Sequence, residues 1–196
     1  MVFSSLVFLC IFLPIVLILH SVIKNRTAQN GLLLAASLLF YAYGEPVYVL
    51  LMLASALYNY CFALLIQRCT GRLIPILAVA VNIGVLGVFK YTGFLLSNLN
   101  TLLGLSIPVP AISLPIGISF FTFQALSYVI DVYRGQVPVQ KNYAKLLLYI
   151  SFFPQLIAGP IVRYRDIEQE IDTRTVSLTE IAPGLRRFIF GLGKKS

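Results

Sequence analysis

Long apolar runs separated by short polar breaks set the pattern of this chain. Val2 to Ile23, Gly31 to Tyr43, Val47 to Gln67, Leu73 to Phe89 and Leu114 to Tyr133 are each read as a membrane-spanning helix. The breaks are short and basic or turn-forming. Lys24 to Asn30 is a basic loop, Gly44-Glu45-Pro46 is a turn, and Arg68, Arg72 and Lys90 mark later ends. Tyr41, Tyr43 and Tyr48 around the turn resemble an interfacial aromatic belt. Past Lys90 the residues Tyr91, Phe94, Leu95, Leu99, Leu102 and Leu103 keep a helical spacing with polar residues between them. This predicts an amphipathic helix lying in the interface.

The sixth apolar run behaves differently. Leu146 to Val162 is 17 residues long, or roughly 25 Å if fully helical, against a hydrocarbon core of roughly 30 Å. Pro154 removes a backbone donor, and Gly159-Pro160 interrupts the run again. Backbone broken at that depth persists only where protein or a wet cavity surrounds it. Two readings stand level on this evidence: a proline-kinked packing helix, and a re-entrant segment that turns back inside the bundle. Beyond it lie a charged stretch from Arg163 to Glu180 and then a basic amphipathic stretch. In the latter Ile181, Leu185, Phe188, Ile189 and Leu192 recur beside Arg186, Arg187, Lys194 and Lys195. Ser177-Leu-Thr-Glu180 has the form of a capping box. Positions 163–195 together are expected on the cytoplasmic surface.

Charge decides between the two readings. With the N-terminus outside, the inner loops hold Lys24, Arg26, Arg68, Arg72, Arg134, Lys141 and Lys145, and the outer loops hold Lys90. If the broken segment re-enters, 14 of the 15 basic residues are cytoplasmic; if it crosses, the seven that follow it are outside. The excess of Lys and Arg in cytoplasmic loops favours re-entry. The composition agrees: 59% of the 196 residues are hydrophobic, 11% are charged, and the mean hydropathy is +0.89. The net charge of +8 therefore belongs to membrane loops rather than to nucleic-acid binding. The fold class expected is an all-α polytopic bundle with one broken segment and interfacial helices.

Candidate chemistry is sparse. His20 is the one imidazole, at the end of the first run, where an interfacial side chain is expected rather than a general base. Cys10, Cys61 and Cys69 show no metal or disulfide spacing, so no metal site is expected. Asp131 and Arg134 near the end of the fifth span are expected to form an i,i+3 ion pair, with a site role as the alternative. Asn59 and Asn82 lie within spans and are expected to hydrogen-bond between helices. Gln124, in an aromatic helix, is either packed or faces a lumen. Arg163 and Arg165 just past the break suit a phosphate or carboxylate, or an anionic lipid headgroup, which is the plainer reading. Pro154 and Gln155 belong to the break itself. Neither a Ser-His-Asp or Cys-His arrangement nor a phosphate-cradling glycine loop is present.

Three motifs in combination carry a resemblance. They are Leu114-Pro-Ile-Gly-Ile-Ser-Phe-Phe-Thr-Phe-Gln124, Tyr128-Val-Ile-Asp-Val-Tyr-Arg-Gly135 and Phe152-Phe-Pro-Gln-Leu-Ile-Ala-Gly-Pro-Ile161. With the opening Val2-Phe-Ser-Ser5 and the Phe40-to-Pro46 turn, they resemble the membrane-bound O-acyltransferase family. The branch is the alginate O-acetyltransferase type, with the D-alanyl transfer protein of teichoic acid synthesis as a cousin. The resemblance implies a multi-pass protein of the bacterial inner membrane. It implies transfer of an acyl group, acetyl by the branch with D-alanyl transfer to teichoic acid as the alternative, from acetyl-CoA or another acyl thioester to polysaccharide hydroxyls such as those of alginate, with no bound cofactor. It also implies the lipid bilayer and periplasmic acetylation proteins as partners. The family's histidine stands near a Trp-His motif that does not occur here, and His20 does not match it. The chain thus resembles the N-terminal part of such an enzyme. It is expected to be inactive alone, with no catalytic residue of its own and with Gln124, Asp131, Arg134, Pro154, Gln155, Arg163 and Arg165 as cavity-lining candidates. A transporter module, for which broken helices are typical, and a non-catalytic scaffold are the alternatives from other classes.

Overall fold

The computed structural model describes residues 7–69, 71–104, 108, 117–156, 162–174, 183–184, 186–187 and 190–191. The described residues are helical, with no strand among them. A π-helical turn at Phe8–Phe12 leads into α1 (Leu13–Val22). Then follow α2 (Arg26–Gly44), α3 (Tyr48–Arg68), α4 (Leu73–Leu103), α5 (Ile118–Tyr133), α6 (Tyr143–Ser151), the single turn α7 (Phe153–Leu156) and α8 (Tyr164–Thr173).

Among the described residues two helices are long and apolar enough to cross a membrane. Tyr48–Arg68 has 21 residues and Leu73–Leu103 has 31, each with a window of mean hydropathy 2.1. Their surfaces are turned inside out relative to a soluble protein. Leu50, Leu57, Leu73, Ile76, Ile83 and Val88 are exposed, while Ser55, Asn59 and Asn82 are fully buried. Small residues at Ala56, Ala63 and Ala78 let the backbones approach. There the two amides meet. Asn59 Nδ2 donates to Asn82 Oδ1 at 3.1 Å, and Asn82 Nδ2 donates to Asn59 Oδ1 at 2.9 Å. Their remaining protons go to the Ser55 and Ala78 carbonyls. The interhelical hydrogen bond expected from the sequence is therefore present, with both partners satisfied.

Helix ends depart from the expected boundaries for identifiable reasons. The basic loop at Lys24 to Asn30 is mostly helix, because the Asn25 side chain caps the Thr27 N–H at 2.9 Å and starts α2 at Arg26. Gln29 then donates to the Ile23 and His20 carbonyls, closing the end of α1. No helix end falls at Lys90. The expected fourth span and interfacial helix form one helix, roughly 46 Å long. Nothing between Phe89 and Tyr91 stops propagation, and the helix ends at Gly104, with φ 61°. Residues 114–116 of the fifth span, the Gly159-Pro160 break and the Ser177–Glu180 capping box lie outside the described residues.

Helix α6 is the centre of the assembly. Leu146, Leu147, Leu148, Tyr149, Ile150 and Ser151 are consecutive and all buried. A helix buried on every side is surrounded by protein. Its neighbours are α2, α3 and α5.

Candidate functional site: the broken helix and its cavity

The break follows from Pro154. It has no N–H, and its ring would collide with the Ile150 carbonyl in a continuous helix. The chain responds two residues early: Phe152 turns out of the helix at φ −54°, ψ 112°. Pro154 then sits in the first turn of α7, where a missing donor costs nothing. The Gln155 and Leu156 N–H groups bond the Phe152 carbonyl at 3.0 and 3.1 Å and restart the helix.

Breaking a buried helix orphans backbone groups, and two side chains take them up. In a continuous helix the Phe153 N–H would meet the Tyr149 carbonyl. Instead Phe153 N–H donates to Ser37 Oγ of α2 at 3.2 Å, and Gln124 Nε2 of α5 donates to the Tyr149 carbonyl at 2.9 Å. Ser37 in turn donates to the Leu33 carbonyl at 2.7 Å. Gln124 Nε2 also lies 3.4 Å from Gln155 Oε1. The aromatic rings of Phe8, Phe12 and Phe40 enclose Phe153 at centroid distances of 5.5–6.0 Å. Gly117, at φ 81°, brings the start of α5 against α7. A Cβ there would lie 3.1 Å from the Leu156 carbonyl oxygen.

The limb after the break returns to the limb before it. Tyr149 OH donates to the Val162 carbonyl at 2.9 Å. The Tyr164 ring packs edge-on against Tyr149 and Tyr128, with centroids 5.2 and 4.9 Å away. Gln140 ties this corner together, its Nε2 donating to Tyr164 OH at 2.8 Å and its N–H to Tyr128 OH at 2.9 Å.

Beside the break lies a cavity of about 260 Å³. Its polar lining is His20 of α1, Tyr149 of α6, Gln155 of α7, Glu170 in the last turn of α8 and Arg174 at its C-cap. Leu33, Leu148, Phe152, Ile167 and Ile171 make most of the rest apolar. Arg174 Nη2 is 3.3 Å from His20 Nε2, and Arg174 Nε is buried with no partner. Burial, and then the charge of Arg26, lower the Arg174 pKa from its usual value, while Glu170 opposes them. Arg174 is the C-cap of α8, with ψ 130°, and no ion pair joins it to Glu170 in the last helical turn. Asn30 Nδ2 donates to the Ile171 carbonyl at 3.1 Å and holds α8 on α2.

The structure brings Gln124, Pro154 and Gln155 together at the break. Gln124 is buried, so its role is to replace a backbone donor. Asp131 and Arg134 do not join them, and the ion pair expected between them is absent. Asp131 is buried with Oδ2 unpartnered, while Arg134 at the helix end faces solvent. Arg163 and Arg165 are also exposed, and Arg165 pairs with Asp166 at 3.3 Å. The arginine lining the cavity is Arg174. Ser37, Tyr149, Glu170 and Arg174 were not among the expected site residues. The spacing of Tyr164, Ile167 and Ile171 with Glu170 and Arg174 is the signal that marks α8 as an amphipathic helix. Ser37 and Tyr149 carry no local signal, because their partners lie far away in sequence.

No family model matches the chain, and no solved structure matches it. Curated proteins do. The chain is 41% identical over 204 residues to a probable alginate O-acetylase of Azotobacter vinelandii, covering all of this chain and 41% of that protein. It is 32% identical over 230 residues to the peptidoglycan O-acetyltransferase of Helicobacter pylori, covering all of this chain and 44% of that protein. A teichoic acid D-alanyltransferase of Bacillus subtilis matches less, at 30% over 79 residues, or 39% of this chain and 20% of the relative. The chain spans about two-fifths of the length of the first relatives it matches. Matched along all its residues by alginate O-acetylases at 38–41% identity, the chain belongs to the membrane-bound O-acyltransferase family, in the alginate O-acetylase branch.

Proposed function

We propose that this chain is the N-terminal portion of a polysaccharide O-acetyltransferase of the bacterial inner membrane. The observation that carries the proposal is the 38–41% identity to alginate O-acetylases along the whole chain. In the reaction a base takes the proton of a polysaccharide hydroxyl, the oxygen attacks the acyl carbonyl of a thioester, and the carbon–sulfur bond breaks to release a thiol. These residues supply chamber wall: a broken segment in which the Gln124 amide is fixed by the Tyr149 carbonyl and lies 3.4 Å from the Gln155 amide oxygen. Acetyl is favoured over D-alanyl because the D-alanyltransferase match covers 39% of the chain against 100% for the acetylases. Removing the gene from its host should abolish O-acetyl esters on the exported polysaccharide, measured by NMR, and restoring the intact gene should return them. Unchanged ester content, or loss of D-alanyl esters instead, would overturn this.

The same proposal includes a multi-pass topology with the N-terminus outside and with 146–162 re-entering from the cytoplasmic side. The short distance between Tyr149 OH and the Val162 carbonyl supports re-entry. A continuous helix would separate residues 149 and 162 by roughly 20 Å. A cysteine placed at Gln169, which is exposed on α8, should react only with membrane-permeant thiol reagents. For this test Cys10, Cys61 and Cys69 are first replaced by serine. Labelling of that cysteine by an impermeant reagent in intact cells would rule re-entry out.

A further inference from the structure

The cavity between α1, α2 and α8 presents an unusual pair of charges. Glu170 lies in the last turn of α8 and Arg174 at its C-cap, where the chain leaves the helix at ψ 130°; both line the cavity, and no ion pair joins them. Arg174 keeps a buried Nε–H with no acceptor. An N–H in that position calls for an anion, and a guanidinium is matched by a phosphate. Arg26 adds positive charge near Arg174. Glu170 is the opposite signal: its carboxylate disfavours a simple anion and calls for a donor cation. The rest of the lining is hydrocarbon, from Leu33, Leu148, Phe152, Ile167 and Ile171. One ligand with a diester anion, a primary ammonium and an apolar chain meets all three requirements.

We propose that this cavity binds a phosphatidylethanolamine, with its phosphate on Arg174, its ammonium on Glu170 and the start of an acyl chain along the apolar wall. The site lies where such a lipid is available. His20 lies in the last turn of α1, the basic Lys24 and Arg26 come just after the helix, and Leu17, Leu19 and Val22 on the same helix are exposed. Phosphatidylglycerol lacks the ammonium, and the quaternary ammonium of phosphatidylcholine has no N–H to give a carboxylate. The two charged side chains therefore discriminate among headgroups rather than merely attracting anions.

The test is native mass spectrometry of the intact protein released from nanodiscs made of equal parts phosphatidylethanolamine, phosphatidylglycerol and phosphatidylcholine. The wild type should retain phosphatidylethanolamine over the other two. Arg174→Gln should lower that retention roughly tenfold, as loss of one charge-assisted contact implies, and Arg174→Lys should restore part of it. Glu170→Gln should shift the preference to phosphatidylglycerol. Arg165→Gln removes an equal charge from the exposed face of α8 and should change nothing. Equal retention of all three lipids by the wild type overturns the proposal. A wild-type preference for phosphatidylglycerol that Glu170→Gln leaves unaltered overturns it too and points to a plain anion site. Because the readout is bound lipid, it is independent of whether the protein transfers acetyl groups.

Discussion

Gln124→Met is expected to destabilise the protein by about 1–3 kcal/mol, the cost of leaving a buried carbonyl without a donor. Methionine keeps the volume and flexibility of glutamine, so no cavity opens, and what is lost is the 2.9 Å hydrogen bond to the Tyr149 carbonyl. That carbonyl has no alternative helical partner, because the Phe153 N–H points to Ser37. Gln124→Glu should be worse. It sets an acceptor against an acceptor, and burial makes an unpaired carboxylate there costlier still. Heating the intact protein in detergent and following the monodisperse fraction should rank wild type above Met and Met above Glu. Equal stability of Gln124→Met and the wild type would show that the break is held by packing alone.

Gly117→Ala should be the other severe change. At φ 81° a residue with a Cβ is strained by about 1–3 kcal/mol. The added carbon would also meet the Leu156 carbonyl oxygen at 3.1 Å, a backbone atom with no rotamer to yield. Gly135 provides a matched comparison. Its φ of 69° carries the same backbone penalty, but nothing lies within 4 Å of a Cβ there. In the same heating assay Gly117→Ala should fall well below Gly135→Ala, and the gap measures the contact between α5 and α7. If the two variants melted together, the approach of α5 to α7 would not be under tension.

Much of this molecule is legible residue by residue. The hydrophobic runs locate α3 and α4, because a helix that meets lipid must be apolar over its whole length. Asn59 and Asn82 announce their pairing, since an amide among leucines has few other partners. Pro154 announces a break, since its ring forbids a continuous helix. The family is legible as well, in motifs that the similarity to alginate O-acetylases bears out. Boundaries were harder. Lys90 looked like an end because charge usually ends a span, but a lysine is a good helix former, and α4 runs on. Asp131 and Arg134 looked like a pair because i,i+3 spacing permits one. Packing instead turned the aspartate inward and left the arginine in solvent.

The sequence by itself determined the elements, the membrane character and the place of the break, because each depends on local chemistry: hydropathy, a missing N–H, a glycine free to turn. The tertiary structure decided what completes the break and what surrounds it. Ser37 and Gln124 come from helices 116 and 25 residues away to take up two groups that Pro154 set free. Tyr149 reaches across to Val162 and joins the two limbs. Arg174, rather than Arg163 or Arg165, enters the cavity because Tyr164, Ile167 and Ile171 turn one face of α8 inward and carry it there. Hydrogen bonds between residues far apart in sequence have no signature in either neighbourhood. They exist only once packing has brought an unpaired donor to an unpaired acceptor.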